Sequence, residues 1–284
     1  LSVEARQHAL LPSDHAAVPQ ERRHARDAGP PGRPEEQAGP RQAHRVGQVE
    51  RIAHPGERPL GHEHAFLLSL ARVHARGAAE VARLRALGRD VIAAPGNVAD
   101  AVDCQRMVEQ AVRDLGRLDY LVNNAGTPGT KTTIAPNEFD RLTEELWDTV
   151  LQVNLLGVFR CSKAAAPALR AAGGAVVSVA SIAGLNHAGS SMAYGATKAG
   201  VVSLTKNLAR GLGPEVRVNA VAPGAVDSTW MIEWTEEQRR GSIEKALLKR
   251  RCTTADLAEV MVFLLAGAAM VTGQTIVVDG GLTL

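Results

Sequence analysis

The sequence predicts an α/β protein in which a parallel sheet is covered by helices on both faces. From Gly77 onward, helix-period and strand-like apolar stretches alternate. The strand-like stretches are apolar almost throughout, as strands buried on both faces must be. Two of them end in turn sequences, Asn123-Asn124-Ala125-Gly126 and Pro223-Gly224, placed at the carboxyl ends where open α/β sheets bind ligands.

The elements follow in chain order. Residues 78–87 (AAEVARLRAL) form an amphipathic helix, 91–94 a short strand, and 102–115 a helix with apolar residues at helical spacing. Residues 118–122 (LDYLV) form a buried strand, and 142–171 one long helix. A strand over 175–180 leads to a helix over 192–212. Then come a strand over 216–221, a helix over 254–265 and a closing strand over 275–278.

Residues 1–75 are different in kind. They hold eight of the nine histidines and eight of the fourteen prolines, none of the six lysines, and a single isoleucine, Ile52. Prolines 30, 31, 34 and 40 interrupt any regular element there. Only residues 65–73 (AFLLSLARV) carry an apolar run that a strand or helical turn could use. The chain therefore divides into an anomalous segment, 1–75, disordered or poorly packed, and a folded domain, 76–284. The histidines follow no ligand spacing, so no metal site is predicted.

Composition excludes several partners. A formal net charge of +2 gives no reason to expect nucleic acid. The longest uncharged apolar run, residues 260–271, is too short to cross a bilayer, and residues 1–11 lack the pattern of a secretory signal. The three cysteines, Cys104, Cys161 and Cys252, are widely spaced and in no C-x-x-C pair. They read as buried small hydrophobes in a reducing, cytoplasmic setting.

The chemistry concentrates in residues 176–198, VVSVASIAGLNHAGSSMAYGATK. Tyr194 and Lys198 stand at i and i+4, on one face of a helix. An ammonium beside a phenol favours the phenolate and lowers its pKa from about 10, which makes a proton-transfer pair. Ser181, just past a β-branched strand, can hydrogen-bond a substrate oxygen. Asn154 lies in mid-helix, where Asn costs about 0.7 kcal/mol relative to Ala, so its environment must compensate.

With these residues in hand, the chain is identified as similar to the short-chain dehydrogenase/reductase superfamily. It most resembles the compact single-domain 3-oxoacyl-[acyl-carrier-protein] reductases. The resemblance rests on Asn97-Val98-Ala99-Asp100, NNAG at 123–126, Asn154, Ser181, YGATK at 194–198, VRVNAVAPG at 216–224 and VTGQTIVVDGG at 271–281. It implies a Rossmann-like doubly wound sheet whose first βαβ part is missing or anomalous here. It also implies NAD or NADP as cofactor and a small carbonyl or alcohol substrate, in a homo-oligomer such as a homotetramer built on the long helices.

The resemblance implies roles as well. Tyr194 is the acid-base; Lys198 lowers its pKa and binds the nicotinamide ribose; Ser181 holds the substrate carbonyl; Asn154 anchors a water linking Lys198 to solvent. Asn97 and Val98 meet adenine, and Asn124, Ala125 and Gly126 flank the cofactor ribose. Val226, after Pro223-Gly224, faces the carboxamide.

The family's first strand ends in Thr-Gly-x-x-x-Gly-x-Gly, whose glycines let main-chain N–H groups approach the pyrophosphate. Its expected place is residues 47–56, where this chain reads GQVERIAHPG. A shifted reading frame over residues 1–75 would explain both the composition and this loss. It would also leave one edge of the LDYLV strand unpaired. Two smaller departures are a connection between Gly126 and Trp147 longer by about six residues, and a segment 227–251 placed like a substrate lid. Three readings follow: an NAD(P)-dependent reductase or dehydrogenase, a catalytically impaired homologue that keeps oligomer contacts, and a related epimerase or dehydratase.

Overall fold

The computed structural model describes residues 66–69, 74–228 and 234–284, with side chains from residue 79 onward. The histidine-rich segment up to residue 65, with the 47–56 stretch, and positions 229–233 of the lid-like segment 227–251 lie outside the described residues. Five parallel strands form one sheet in the order β1 (Phe66–Ser69), β2 (Tyr120–Asn123), β3 (Ala175–Val179), β4 (Arg217–Pro223) and β5 (Thr275–Val278). Register runs Phe66 to Tyr120, Tyr120 to Ala175, Ala175 to Arg217 and Ala220 to Thr275.

Helices α1 (His74–Ala86) and α2 (Ala101–Leu115) follow β1. α3 (Glu144–Leu151) and α4 (Gly157–Ala172) join β2 to β3, and α5 (Met192–Leu212) joins β3 to β4. α6 (Glu236–Lys245) and α7 (Thr254–Val262) precede β5. Alternate strand residues point to opposite faces. Leu121, Val176 and Val218 pack with α2, α4 and α5 through Met107, Val108, Cys161, Ala165, Leu169 and Leu212. Tyr120, Val122, Val177 and Val221 pack on the other face with Leu264 and Leu265, beyond α7. Burial on both sides is why these strands read as continuous apolar runs.

The structure departs from the sequence reading in four places. The LDYLV edge expected to be unpaired is occupied, because Phe66–Ser69 lies parallel to Tyr120–Asn123. Residues 91–94 form no strand. Side chains take two of their carbonyls instead: Arg85 donates to Val91 O at 2.8 and 2.9 Å and Gln110 to Ala93 O at 3.2 Å, while Arg106 holds the adjoining Pro95 O at 2.8 Å. A strand needs a ladder, and these carbonyls are satisfied without one. The long helix over 142–171 is broken into α3 and α4 by a π-helical turn, Gln152–Leu156. Finally, α6 appears inside 227–251, started by a capping box of Thr235 and Gln238.

Candidate active site

All five strands run the same way, so the turns after β2, β3, β4 and β5 open at one end of the sheet. Past β3, Ser181 caps a 3₁₀ turn, Ile182–Leu185, its Oγ accepting the Ala183 N–H at 3.2 Å. That turn lies directly on α5, since a Cβ at Gly184 would stand 2.5 Å from the Lys198 carbonyl carbon. α5 begins at Ser191, whose hydroxyl accepts the Tyr194 N–H at 3.1 Å. The cap fixes Tyr194 in the first helical turn and Lys198 one turn later, on the same face.

Both side chains are buried, Tyr194 at 8% and Lys198 at 3% exposure. Lys198 Nζ donates to Val179 O, the end of β3, at 2.7 Å, and sits 5.6 Å from the Tyr194 ring centroid. Ser181, already an acceptor from Ala183, hydrogen-bonds the Tyr194 phenol.

The electrostatics correct the sequence expectation. Burial pushes the Tyr194 phenol up to about 12, against the opposing hydrogen bond from Ser181. Burial also drives Lys198 down to about 8. Desolvation penalises a charge on either group, and at this depth it outweighs the attraction of the cation for a phenolate. The site at neutral pH therefore holds a protonated phenol beside an ammonium that is mostly, though not wholly, charged.

Asn154 is fully buried within the π turn. Its Oδ1 accepts the Thr127 N–H at 2.8 Å, and its Nδ2 donates to Thr127 O at 2.9 Å and to Thr197 Oγ1 at 3.2 Å. Thr197 Oγ1 in turn donates to Tyr194 O at 2.8 Å. Asn154 thus ties the turn after β2 to the α5 segment that carries Tyr194 and Lys198. These bonds compensate for Asn in mid-helix, and the π turn is the local distortion that aims its side chain.

Thr127 and Thr197 were not singled out from sequence. Thr127 directly follows NNAG and Thr197 stands inside YGATK, but neither motif announces what these side chains bind.

The remaining predicted residues are distributed around the same end of the sheet. Asn124 is exposed, Ala125 buried and Gly126 half-buried in the turn leading to Thr127. Pro223 ends β4, and Gly224 lies so close to Asp279 that a Cβ would stand 2.7 Å from that residue's Cβ. Val226 forms a parallel bridge with Cys252. Asn97 turns its Oδ1 onto the Ala99 N–H at 3.1 Å. Val98 is 1% exposed with its side chain in the core, so that side chain presents no open surface to a ligand.

Comparison with known proteins decides the family. A family profile described as enoyl-(acyl carrier protein) reductase matches residues 61–283. The 3-oxoacyl-[acyl-carrier-protein] reductase FabG of Staphylococcus aureus (strain Mu50) is 38% identical over 207 residues, 72% of this chain and 82% of the relative. A 3-oxoacyl-[acyl-carrier protein] reductase structure from Brucella melitensis superposes with a TM-score of 0.68 at 30% identity, over 77% of this chain and 81% of that one. A short-chain dehydrogenase/reductase structure of the glucose/ribitol dehydrogenase type, also from Brucella melitensis, gives 0.66 at 29% identity, over 78% and 86%. The chain is a short-chain dehydrogenase/reductase.

As a short-chain dehydrogenase/reductase, it belongs to a family of NAD(P)-dependent oxidoreductases, and its own residues can be tested for fit to that cofactor. The nicotinamide end fits: a buried ammonium keeps two further N–H donors after Val179 O, beside a buried phenol and a serine. The pyrophosphate end is a different matter. The glycine-rich turn that a dinucleotide fold needs there is expected at residues 47–56, which lie outside the described residues and read GQVERIAHPG, without the glycine triplet.

A shallow depression lined by Lys206, Ala209, Arg210, Thr272, Gly273 and Gln274 lies further along α5, about 18 Å from Tyr194, and has no part in this chemistry. Among the described residues no cluster of metal-ligating side chains occurs, and no helix is long and apolar enough to cross a membrane.

Proposed function

We propose that this oxidoreductase interconverts a carbonyl and a secondary alcohol, with Tyr194 as the acid-base. The single observation that carries the reading is the Ser181–Tyr194–Lys198 constellation, buried at the carboxyl end of β3. NAD or NADP, when bound, supplies or takes the hydride at the substrate carbon. In the reductive direction the Tyr194 O–H donates to the carbonyl oxygen and transfers its proton as negative charge develops there. Ser181 donates a hydrogen bond that steadies the resulting phenolate, and the Lys198 ammonium supplies the balancing charge. Asn154, through Thr127 and Thr197, keeps the NNAG turn and the start of α5 in register.

The relatives named for 3-oxoacyl-[acyl-carrier-protein] reduction support a β-keto acyl substrate. The reading includes a homo-oligomer in the cytoplasm.

A second reading is a homologue that cannot hold dinucleotide, and the missing glycine triplet in the sequence of residues 47–56 favours it. Titration with NADPH and NADH separates the two: saturable fluorescence enhancement supports the enzyme, and none up to millimolar cofactor supports the impaired homologue. With a β-keto acyl thioester as substrate, Tyr194→Phe is expected to lower kcat at least a thousandfold, and unchanged turnover would remove Tyr194 from the chemistry.

A further inference from the structure

The connection after NNAG is fastened to the start of α5 at one residue, Ser190. The Ser190 carbonyl accepts the Ile134 N–H at 2.8 Å, and the Ser190 hydroxyl donates to Pro128 O at 3.4 Å. Ser191 follows directly, and its hydroxyl caps the Tyr194 N–H at 3.1 Å. On the other side of Ser190, Gly189 lies against the phenol ring, since a Cβ there would stand 3.2 Å from Tyr194 Cδ1. The Ile134 side chain is buried in one cluster with Leu146, Val150 and Ala193, the residue before Tyr194. Ile134 therefore meets the corner that aims Tyr194 by main chain and by side chain.

Ile134 is itself held from outside. Arg141 ends a 3₁₀ turn, Phe139–Arg141, and reaches back along the connection. Its Nη2 donates to Thr132 Oγ1 at 2.9 Å, and its Nη1 to Thr133 O at 3.4 Å and to both Glu138 carboxylate oxygens at 3.0 Å. Glu138 Oε2 in turn accepts the Ala135 N–H at 2.7 Å. The two side chains thus grip the residues on either side of Ile134. An exposed ion pair contributes little to global stability, so the value of this one lies in geometry.

We propose that Arg141 and Glu138 are positioning residues: as a splint on residues 132–135 they fix Ile134, and through Ser190 and the Ser191 cap they fix the direction of the Tyr194 phenol. The inference rests on Tyr194 as the acid-base, and it adds to Asn154 a second brace from a later part of the same connection. Proton transfer needs the phenol oxygen within hydrogen-bond reach of the substrate oxygen. A displacement of about 1 Å costs up to roughly a hundredfold in rate.

The test compares Arg141→Ala with wild type in the full chain. Arg83→Ala is the control, because Arg83 makes the like i,i+3 pair with Glu80 in α1, outside the site. Amide hydrogen exchange is followed residue by residue by NMR, and steady-state kinetics are measured with NADPH and a β-keto acyl thioester. In Arg141→Ala the Ile134 and Tyr194 amides should exchange at least about tenfold faster, while amides at 201–205 in the middle of α5 keep their rates. The kcat should fall about ten- to a hundredfold with KM for NADPH within about twofold, and guanidinium chloride below denaturing concentration should restore part of it. Arg83→Ala should change none of these.

A Tyr194 amide as protected as in wild type, faster exchange shared by the whole of α5, or an unchanged kcat would overturn the proposal. The exchange readout needs no turnover. A wild-type chain without activity would therefore remove the acid-base reading and leave the splint to be decided by the Tyr194 amide. Should Arg141→Ala fail to fold, Glu138→Gln is read in the same way.

Discussion

Asn154 can be tested apart from any turnover, because its role as a brace is written in three hydrogen bonds. Asn154→Ala removes the partner of both the Thr127 N–H and the Thr127 C=O, at 2.8 and 2.9 Å, and one donor to Thr197. The side chain is fully buried, so water does not replace it without rearrangement. A main-chain group left unsatisfied costs about 1–3 kcal/mol, which gives roughly 2–6 kcal/mol for the two. The better helix propensity of Ala returns about 0.7 kcal/mol. The net expectation is a loss of about 1–5 kcal/mol.

Urea unfolding measures it as a lowered midpoint at unchanged slope. Hydrogen exchange places it: the Thr127 amide should lose protection while amides in β3 and β4 keep theirs. A loss below about 0.5 kcal/mol, or a Thr127 amide as protected as before, would refute the brace.

Three further outcomes follow from the same geometry. Reductive kcat/KM should fall as pH rises through about 8, where Lys198 loses its charge while Tyr194, at about 12, stays protonated; a profile flat from pH 7 to 10 would contradict this. Lys198→Met should abolish turnover yet raise stability at pH 7 by about 2 kcal/mol, read by urea unfolding. The fall from the ordinary 10.5 to about 8 converts to roughly 3 kcal/mol, and the lost bond to Val179 O takes back about 1. The sign is that of a buried amine: the unfolded chain holds the proton more tightly, so this penalty is full below pH 8 and fades as pH rises to 10.5. Gly184→Ala should cost about 1–3 kcal/mol and lower kcat at least tenfold, because its Cβ would meet main chain at Lys198 that cannot rotate away; wild-type kcat with wild-type unfolding would contradict it.

Much of the fold is legible locally. The bounds of α5 and β5 are those expected from sequence, 192–212 and 275–278, the second from four consecutive β-favouring residues. Tyr194 and Lys198 are likewise legible, because i,i+4 spacing on a helix is a local fact. The misreadings have a different origin. Residues 91–94 look like a strand, yet strand formation is decided by a neighbour, and Arg85 and Gln110 take the Val91 and Ala93 carbonyls instead. The π turn at Asn154 serves contacts with Thr127 and Thr197, which are 27 and 43 residues away in sequence.

By itself the sequence determined the alternation of elements, the parallel sheet and which residues are the candidates for proton chemistry, since each depends on period and short spacings. Only tertiary structure decided how acidic those residues are and what Asn154 holds. Burial depth and long-range contact set these, and neither is encoded within one turn of a helix. The same limit explains β1: an apolar run of uncertain type becomes a strand because the edge of β2 offers it a ladder.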